Sequence, residues 1–336
     1  MSNFWKNLPR PIMVMAPLAD VTDAAFRRMI AKYSAHERTD GSIGGPDVMW
    51  TEFVSADGLM RADEEGKQKL MADLLYSEEE RPIVAQLFSS APEYMEAAAK
   101  LCAELGFDGI DINMGCPDRS IEKQGCGSAM IKNPENAREI IRAAKRGAGD
   151  LPVSVKTRLG YNADQLEEWL PEILAEEPAA VTIHARTRKE MSKVPARWER
   201  VARAAEIRDE LQSDALILGN GDAESLEDAH AKAELSRADG VMLGRAIFGN
   251  PWLFHPEKDL SNVSLEERLK VMVEHTQLFA ELLPHKNFAT MKKHYKAYVN
   301  GFDDAKELRI KLMETSTSQE VAQIVDDFLS ETGKKE

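Results

Sequence analysis

The feature that most constrains the fold is a series of eight short β-rich runs, which alternate with amphipathic stretches over roughly the first 250 residues. The runs begin at Ile12, Asp47, Ile83, Gly109, Val153, Ala180, Leu216 and Gly240. Several of the intervening stretches open on a capping residue or Pro and close on Gly, as helices do. Eight strand–helix units of this total length predict an α/β protein with a (β/α)8 TIM barrel.

A doubly wound parallel sheet is the alternative architecture for such a pattern. That fold typically carries a glycine fingerprint directly after its first strand. Here the same place holds "APLADVTD", from Ala16 to Asp23, and the chain contains no Walker-type loop. The pattern therefore favours the barrel.

After Phe254 the strand signals stop and four helical patterns follow, joined by short connections. Such an arrangement predicts a small C-terminal all-α helical bundle. We expect a barrel domain over 1–258 and a helical domain over 259–336. A long glycine-containing link, 34–48, precedes the second strand, and we interpret it as a surface insertion rather than a lid.

The composition is that of a globular protein, with 43% hydrophobic and 30% charged residues among 336. The apolar run near the start is broken by Pro9, Pro11 and Pro17, and is too short for a signal peptide core or a membrane span. Three cysteines in a chain of this length fit a reducing compartment. We therefore expect a cytoplasmic protein with no membrane segment. The net charge of −14 argues against a general affinity for nucleic acid, but a local basic patch can still bind RNA.

Polar residues collect where the predicted strands end, which is where the active sites of barrels lie. Charges inside buried strands are expensive unless they are paired or functional, so Lys156, His184 and Arg245 together favour a ligand site. The residues at or near these strand ends are Pro17, Leu18, Gln86, Asn113, Lys156, Arg158, His184, Arg186, Asn220, Gly221, Asp222, Gly244 and Arg245.

Two glycine-containing segments, "GNGDAES" and "GRAIFGNP", follow the seventh and eighth strands. Backbone N–H groups in such segments bind anions, and barrels commonly place a phosphate site in these two loops. A phosphorylated ligand is predicted. The pattern fits a sugar phosphate as well as a flavin mononucleotide.

The segment "DINMGCPDRSIEKQGCGSAMI", from Asp111 to Ile131, contains two of the three cysteines. Neither belongs to a CxxC pair or lies near a His, so no metal site is expected, and nine intervening residues do not suit a thioredoxin-like pair. Cys116 follows a strand between Gly115 and Pro117 and is a candidate nucleophile or proton donor, of which a general acid is the simpler choice. Cys126 and Cys102 are interpreted as packing residues.

Several motifs together resemble the tRNA-dihydrouridine synthase family. They include "MAPLADVTDAAFRRM", "VAQLF", "DINMGCPDRSIEKQGCGSAMI", "VKTRLGY", "VTIHARTRKEM", "LGNGDAES" and "DGVMLGRAIFGNPWLF", in the family's order and spacing. The resemblance extends from about Pro11 to Asp327. It departs from the family's pattern in "KEMSKVPARW" and in the insertion 34–48.

The resemblance implies an FMN-dependent barrel enzyme that reduces uridines of tRNA to 5,6-dihydrouridine with NADPH. It implies that hydride passes from flavin N5 to uracil C6 and that Cys116 gives a proton to C5. The implied flavin-binding residues are Pro17, Leu18, Ala19, Gln86, Lys156 and His184, with Asn220, Gly221, Asp222, Gly244 and Arg245 at the phosphate. Asn113, Arg158 and Arg186 are the implied substrate-binding residues.

The resemblance also implies that the helical tail binds tRNA. Its cations, which form the basic face we expect, are Lys286, Lys292, Lys293, Lys296, Arg309 and Lys311. We expect a monomer. The alternative function is an FMN barrel that reduces a small-molecule pyrimidine, with the tail used for oligomerisation; a non-enzymatic RNA-binding protein is a third interpretation.

Overall fold

The computed structural model describes residues 3–258 and 260–332. The described residues contain eleven strands, of which two form a separate hairpin. In chain order they are β1 Ile12–Met15, β2 His36–Glu37, β3 Ile43–Gly44, β4 Met49–Trp50, β5 Val54–Ser55, β6 Ile83–Phe88, β7 Gly109–Asn113, β8 Val153–Arg158, β9 Ala180–His184, β10 Leu216–Asn220 and β11 Gly240–Leu243.

The main sheet is parallel and follows the order β1-β11-β10-β9-β8-β7-β6-β4, with β5 added beside β6. Its two ends meet, because the N–H of Met15 donates to the carbonyl of Val48 at 3.3 Å and the N–H of Asp47 donates to that of Met13 at 2.8 Å. The predicted (β/α)8 barrel is therefore confirmed, and all eight predicted strand regions contribute to it. The second region differs from expectation in being split into β4 and β5.

A cluster of apolar side chains fills one part of the barrel and helps to hold its strands together. Trp5, Ile12, Trp50 and Met242 are almost fully buried in one cluster, in which Leu18 is half-buried. Residues of the main-sheet strands are nearly all buried, and their high content of apolar and β-branched residues explains why the eight regions were recognisable in the sequence.

Residues 3–258 and 260–332 contain thirteen α-helices. Side-chain caps fix several of their starts, as when Asn133 Oδ1 accepts from the N–H of Asn136 at 3.3 Å and Ser225 Oγ accepts from that of Asp228 at 3.0 Å. The helices are α1 Ala24–Tyr33, α2 Ala56–Arg61, α3 Glu64–Ala72, α4 Pro92–Glu104, α5 Arg119–Glu122, α6 Pro134–Ala148, α7 Leu166–Leu174, α8 Trp198–Glu210, α9 Leu226–Ser236, α10 Leu265–Leu282, α11 Lys292–Tyr298, α12 Ala305–Glu314 and α13 Ser318–Thr332. None of the described helices has the length and apolar character needed to cross a bilayer.

The chain divides into two compact units by its internal contacts. The barrel unit consists of the residues up to Ala19 together with Pro46–Arg245, and the helical unit consists of Asp20–Gly45 with the chain from Ala246 onward. The later part of the helical unit begins at Ala246, before the domain boundary that we expected near residue 258. The helical unit also includes α1 and the β2–β3 hairpin. The RNA-binding role expected of 259–336 stays a prediction.

The helical unit has an apolar core of its own. The four helical patterns expected in the tail are present as α10 to α13, and a 3-10 turn, Phe288–Met291, precedes α11. Met272, Phe279, Tyr295 and Leu312 are fully buried there, and Ala25 of α1 belongs to the same cluster. The aromatic residues of these helices therefore pack inward and fix the unit's interior.

Candidate active site

The strand register brings the predicted polar residues to one end of the barrel. Asn113 is paired with Lys156, Arg158 with His184, and His184 with Asn220. These residues belong to four neighbouring strands, β7 to β10, and all lie in the second half of their strands. The carboxyl end of the barrel therefore carries a continuous group of amide, amine, guanidinium and imidazole groups.

A hydrogen-bonded chain runs across β6, β7 and β8. Gln86 Nε2 donates to Asp111 Oδ2 at 2.7 Å, and Ser154 Oγ donates to Asp111 Oδ1 at 2.6 Å. Asn113 Nδ2 donates to Gln86 Oε1 at 3.0 Å. Burial raises the pKa of Asp111 to about 6, although the bonds from Ser154 and Gln86 and the charge of Lys156 oppose the rise. The carboxylate thus fixes the orientation of both amides.

Asn113 also holds the loop that carries Cys116. Its Oδ1 accepts from the N–H of Gly115 at 3.1 Å and from the N–H of Cys116 at 2.9 Å. On the far side of the loop, the N–H of Ser128 donates to the carbonyl of Cys116 at 2.9 Å. Burial raises the pKa of the Cys116 thiol despite the nearby cations Arg158 and Lys156, so the thiol carries its proton near neutral pH. The sequence suggested this acid, but not the role of Asn113 in holding it.

Lys156 lies inside the barrel among polar groups. Its Nζ donates to Asn220 Oδ1 at 3.2 Å, and Asn220 Nδ2 donates to the carbonyl of Met242 at 2.7 Å. Burial and the neighbouring Arg158 lower the pKa of Lys156 to about 8, against the attraction of Asp111. The amine therefore remains largely charged at neutral pH and can stabilise an anion.

Arg158 reaches from β8 to backbone carbonyls. Its Nε donates to the carbonyl of Gly115 at 2.7 Å, and its Nη1 to those of Thr187 at 3.3 Å and Met191 at 3.2 Å. Burial lowers the pKa of this guanidinium to about 10, so it stays cationic. Arg158 thus connects the Cys116 loop to the loop after β9, in addition to placing a positive charge near the thiol.

His184 is a neutral imidazole among cations. Burial, and then the charges of Arg158, Lys156, Arg186 and Arg245, hold its pKa well below the usual value. Arg186 Nη1 lies 3.2 Å from His184 Nε2, and a guanidinium can only donate. His184 Nε2 is therefore the acceptor and Nδ1 carries the proton.

Asp222 binds two arginines, Arg186 and Arg245. Its Oδ2 accepts from Arg186 and, at 2.8 Å, from the N–H of Ala196, while its Oδ1 accepts from Arg245. Burial alone would raise the pKa of Asp222, but the bond from Arg186 and the two positive charges lower it. The Asp222 carboxylate thus orients the guanidinium of Arg245. The side chain of Arg245 is 65% exposed, whereas that of Arg186 is 3% exposed.

The loops after β10 and β11 fit a phosphate group. Gly221 has a φ of +127°, which favours glycine, and a Cβ at Gly244 would have no neighbour nearer than the Cβ of Ala16 at 3.7 Å. This leaves room for an anion beside the backbone and the Arg245 guanidinium. Pro17 is buried, Leu18 half-buried and Ala19 exposed after β1. The donors and the apolar wall together suit a phosphate-bearing cofactor.

Two residues that contribute to the candidate active site, Asp111 and Glu122, were not predicted from the sequence. Asp111 lies two residues before Asn113 and so shares its face of β7, a period-2 signal that pointed to it. Glu122 accepts hydrogen bonds from Arg188, which lies 66 residues away in the sequence. Ser128, 6 residues away, places its Oγ 2.9 Å from Glu122 Oε1. No local pattern announces the pairing of Glu122 with Arg188. Within 3–258 and 260–332, no three His, Cys, Asp or Glu side chains are grouped to hold a metal ion.

The barrel, its polar carboxyl end and the thiol held beside two cations define a (β/α)8 barrel enzyme. The profile of the family described as "Dihydrouridine synthase (Dus)" matches residues 14–333. The chain belongs to the dihydrouridine synthase family of oxidoreductases, which confirms the resemblance and the prediction of an enzyme.

The chain is similar to relatives along nearly its whole length. It is 41% identical over 329 residues to "Probable tRNA-dihydrouridine synthase 2" of Bacillus subtilis (strain 168), covering 97% of this chain and 96% of the relative. It is 39% identical to "Probable tRNA-dihydrouridine synthase" of Staphylococcus aureus (strain MRSA252), covering 97% and 95%. The alignments therefore include the helical unit as well as the barrel.

Solved structures share the fold at low identity. A 2-naphthoyl-CoA reductase complex aligns with a TM-score of 0.52 at 12% identity, over 73% of this chain and 49% of that one. Histamine dehydrogenase from Rhizobium sp. 4-9 aligns with a TM-score of 0.51 at 14% identity, over 80% of this chain and 49% of that one. These likenesses support the fold alone.

Proposed function

We propose that this chain reduces uridines in tRNA to 5,6-dihydrouridine, with FMN as the cofactor and NADPH as the reductant. The observation that carries the proposal is the protonated Cys116 thiol, which hydrogen bonds hold beside Lys156 and Arg158 at the carboxyl end of the barrel. Relatives named as tRNA-dihydrouridine synthases cover 97% of the chain, which supports tRNA as the substrate.

The cofactor site we propose extends from β1 to β11. Gly221, Gly244 and Arg245 would bind the phosphate, with Asp222 orienting Arg245. Pro17, Leu18 and Ala19 would form the apolar wall of the ring site. Gln86, Lys156 and His184 would supply its polar contacts, since Gln86 keeps one amide N–H and one lone pair beyond its bonds to Asp111 and Asn113. Asn220, which the resemblance implies at the phosphate, would hold Lys156, which donates to its Oδ1.

When bound, FMN would supply the hydride for C6 of the uracil ring. Cys116 would then give its proton to C5, and the resulting thiolate would recover a proton from solvent. Lys156 and Arg158 would offset the negative charge that develops on the uracil carbonyl while C5 awaits the proton. A positioned general acid of this kind contributes roughly 10²- to 10⁴-fold in rate.

Substrate contacts are proposed for Asn113, Arg158 and Arg186. Each already has protein partners, so each would contact the base with its remaining donors: Asn113 through the second hydrogen on Nδ2, and Arg158 through Nη2. The target base must leave its stack to reach them, at a cost of a few kcal/mol.

The helical unit is proposed to bind tRNA through cations of its tail. Lys296 and Lys311 are exposed and Lys292 is partly exposed, and none of the three has an ion pair among the described residues. Arg309 is less available, because its Nη1 donates to the carbonyl of Val299 at 2.7 Å. Lys293 is also less available, because its Nζ forms an ion pair with Asp20 Oδ2 at 3.9 Å. The basic face we propose is therefore narrower than the full set of tail cations.

Replacing Cys116 tests the proposal. We expect Cys116→Ala to bind FMN and its flavin to be reduced by NADPH as in the wild type, while dihydrouridine formation falls roughly 10²- to 10⁴-fold, because only the proton donor is removed. Cys126→Ala is the matched control, since Cys126 is buried with Phe88 and Ile121 and should leave the rate near wild type. A wild-type rate of dihydrouridine formation in Cys116→Ala would remove Cys116 from the mechanism. Reduction of free uridine but not of tRNA would favour a small-molecule substrate.

A further inference from the structure

Five exposed cations of the barrel unit lie on two segments that adjoin the candidate active site. They have no ion pair among the described residues, although the chain as a whole carries a net charge of −14. Elsewhere in this unit arginines are paired, as Arg200 is with Asp164 and Arg203 with Glu210. We call these five the rim patch; its members are Arg119, Lys123, Lys132, Lys189 and Lys193.

Tyr161, in the loop after β8, joins the segments of the rim patch. Lys132 Nζ lies 4.3 Å from the centre of the Tyr161 ring, and Arg188 Cζ lies 5.3 Å from it. The N–H of Lys189 donates to the carbonyl of Tyr161 at 2.9 Å. The loop after β7, the loop after β8 and the loop after β9 are therefore held together as one surface.

Helix α5 is tied to the same surface through Glu122. The N–H of Lys123 donates to the carbonyl of Arg119 at 3.1 Å, so both cations lie on the turn that carries Glu122. Glu122 neutralises Arg188 through two hydrogen bonds, of which that from Nε is 2.8 Å long. The charge of Arg188 is thus compensated, and the charges of the rim patch are not.

The rim patch adjoins the Cys116 loop. Ser128 Oγ lies 2.9 Å from the carbonyl oxygen of Cys116 and 2.9 Å from Glu122 Oε1. Arg158 bonds the carbonyl of Gly115 on one side and that of Met191 on the other. Chain segments that carry the patch therefore contact the same loops that position the thiol.

Uncompensated exposed cations suit a polyanion, and the phosphates of an RNA strand are spaced to meet several of them at once. The Tyr161 ring already has two cations against it, so it serves to hold Lys132 rather than to stack with a base. Contacts to phosphates rather than to bases are what this chemistry favours.

We propose that the rim patch binds the phosphates of the tRNA strand on either side of the nucleotide that enters the active site. This inference rests on the proposed function, which supplies tRNA as the substrate. It assigns to the barrel unit an RNA contact that is separate from the one proposed for the helical tail. In this arrangement the patch holds the flanking backbone in place while the target base is out of its stack.

The test compares tRNA binding by the double variant Lys132→Ala/Lys189→Ala with that by Lys6→Ala. Lys6 is an exposed cation beside a cavity of about 680 Å³ whose lining includes Val153 and Leu216, at the amino ends of β8 and β10. The dissociation constant for an unmodified tRNA transcript is measured over a series of KCl concentrations. Circular dichroism and FMN binding check that each variant is folded.

Each phosphate contact on a single strand contributes about 0.7 to the slope of log K against log salt. Loss of two contacts should lower the slope by about 1.4 and raise the dissociation constant roughly tenfold at 0.15 M salt, while Lys6→Ala keeps the wild-type slope. A double variant whose slope equals that of Lys6→Ala, in an enzyme whose wild type binds tRNA, would overturn the rim proposal alone. If the wild type binds no tRNA, the proposed function fails, and the rim proposal with it.

Discussion

Replacing Asn113 by alanine separates the two roles that this residue can have. The side chain accepts two hydrogen bonds from the Cys116 loop, of 2.9 and 3.1 Å, and donates one of 3.0 Å to the buried Gln86. A residue that only binds substrate affects KM when it is lost. A residue that positions the proton donor affects kcat.

The magnitude follows from these three bonds. A hydrogen bond contributes about 0.5–1.5 kcal/mol net, so their loss costs the local structure roughly 1.5–4.5 kcal/mol. The loop N–H groups can regain water, but the buried Gln86 oxygen cannot, which places the cost in the middle of that range. Displacing a reacting group by about 1 Å reduces the rate roughly 10²-fold. We therefore predict that kcat of Asn113→Ala falls about 10²-fold, while loss of the proposed contact to the base raises KM by no more than about fivefold, the equivalent of one ordinary hydrogen bond.

Steady-state dihydrouridine formation on a tRNA transcript, with FMN saturating, gives both constants. Ser128→Ala is the matched control on the same loop: it removes the hydroxyl near the Cys116 carbonyl but keeps the backbone bond of 2.9 Å from residue 128. Its kcat should fall no more than about fivefold, the equivalent of one ordinary hydrogen bond. An Asn113→Ala enzyme with unchanged kcat and a raised KM would refute the positioning role.

Two further predictions concern the cofactor site and the helical unit. Asp222→Asn keeps one acceptor oxygen for two arginines, so Arg245 loses its charged partner. We expect the dissociation constant for FMN, measured by flavin fluorescence, to rise roughly tenfold. An unchanged dissociation constant would show that Arg245 does not bind the phosphate. His275 and His294 are fully buried with ring centres 4.6 Å apart; burial lowers the pKa of His294 to about 3 and that of His275 well below its usual value. Because an unfolded imidazole titrates near 6.5, the contribution of His294 to the free energy of unfolding is fully present above that pH. It decreases as the pH falls toward the folded pKa, by about 2 kcal/mol between pH 7 and 5. The free energy of unfolding of His294→Phe, measured with urea, should vary between pH 7 and 5 by about 2 kcal/mol less than that of the wild type. Equal variation in the two proteins would contradict this prediction.

The strands were predictable because short runs rich in apolar and β-branched residues alternate with amphipathic stretches, but the break in the second run was not. Thr51 Oγ1 accepts from the N–H of Gln86 at 3.0 Å, between β4 and β5. A side-chain hydroxyl that bonds to a neighbouring strand's backbone competes with the regular ladder. The residues of "DVMWTEFV" give no local sign of this, because the partner lies 35 residues away.

The partner of α1 was also beyond the sequence pattern. An amphipathic stretch shows which face is buried, but not against what. Phe26 lies with its ring centre 5.2 Å from that of His275 and 5.1 Å from that of His294, and Tyr33 donates to Glu274 at 2.6 Å. A helix that follows the first barrel strand therefore belongs to the helical unit.

At the site, strand ends indicated which residues would gather, while their pairing came only from the fold. Lys156 and Asn220 lie 64 residues apart, and Arg186 and Asp222 lie 36 apart. Asp222, which the resemblance implies at the phosphate, bonds to Arg186 and Arg245, and no local pattern indicated this pairing. The sequence therefore indicated which charged residues gather at the site, but not which of them pair with one another.

The most direct test of the proposed function is mass-spectrometric mapping of an unmodified tRNA transcript after incubation with the FMN-loaded protein and NADPH. The structure predicts that one or more uridines become dihydrouridine with the wild type and that nearly none do with Cys116→Ala, although both proteins bind FMN. A wild-type protein that binds FMN and oxidises NADPH but leaves every uridine of the transcript unreduced would contradict the account.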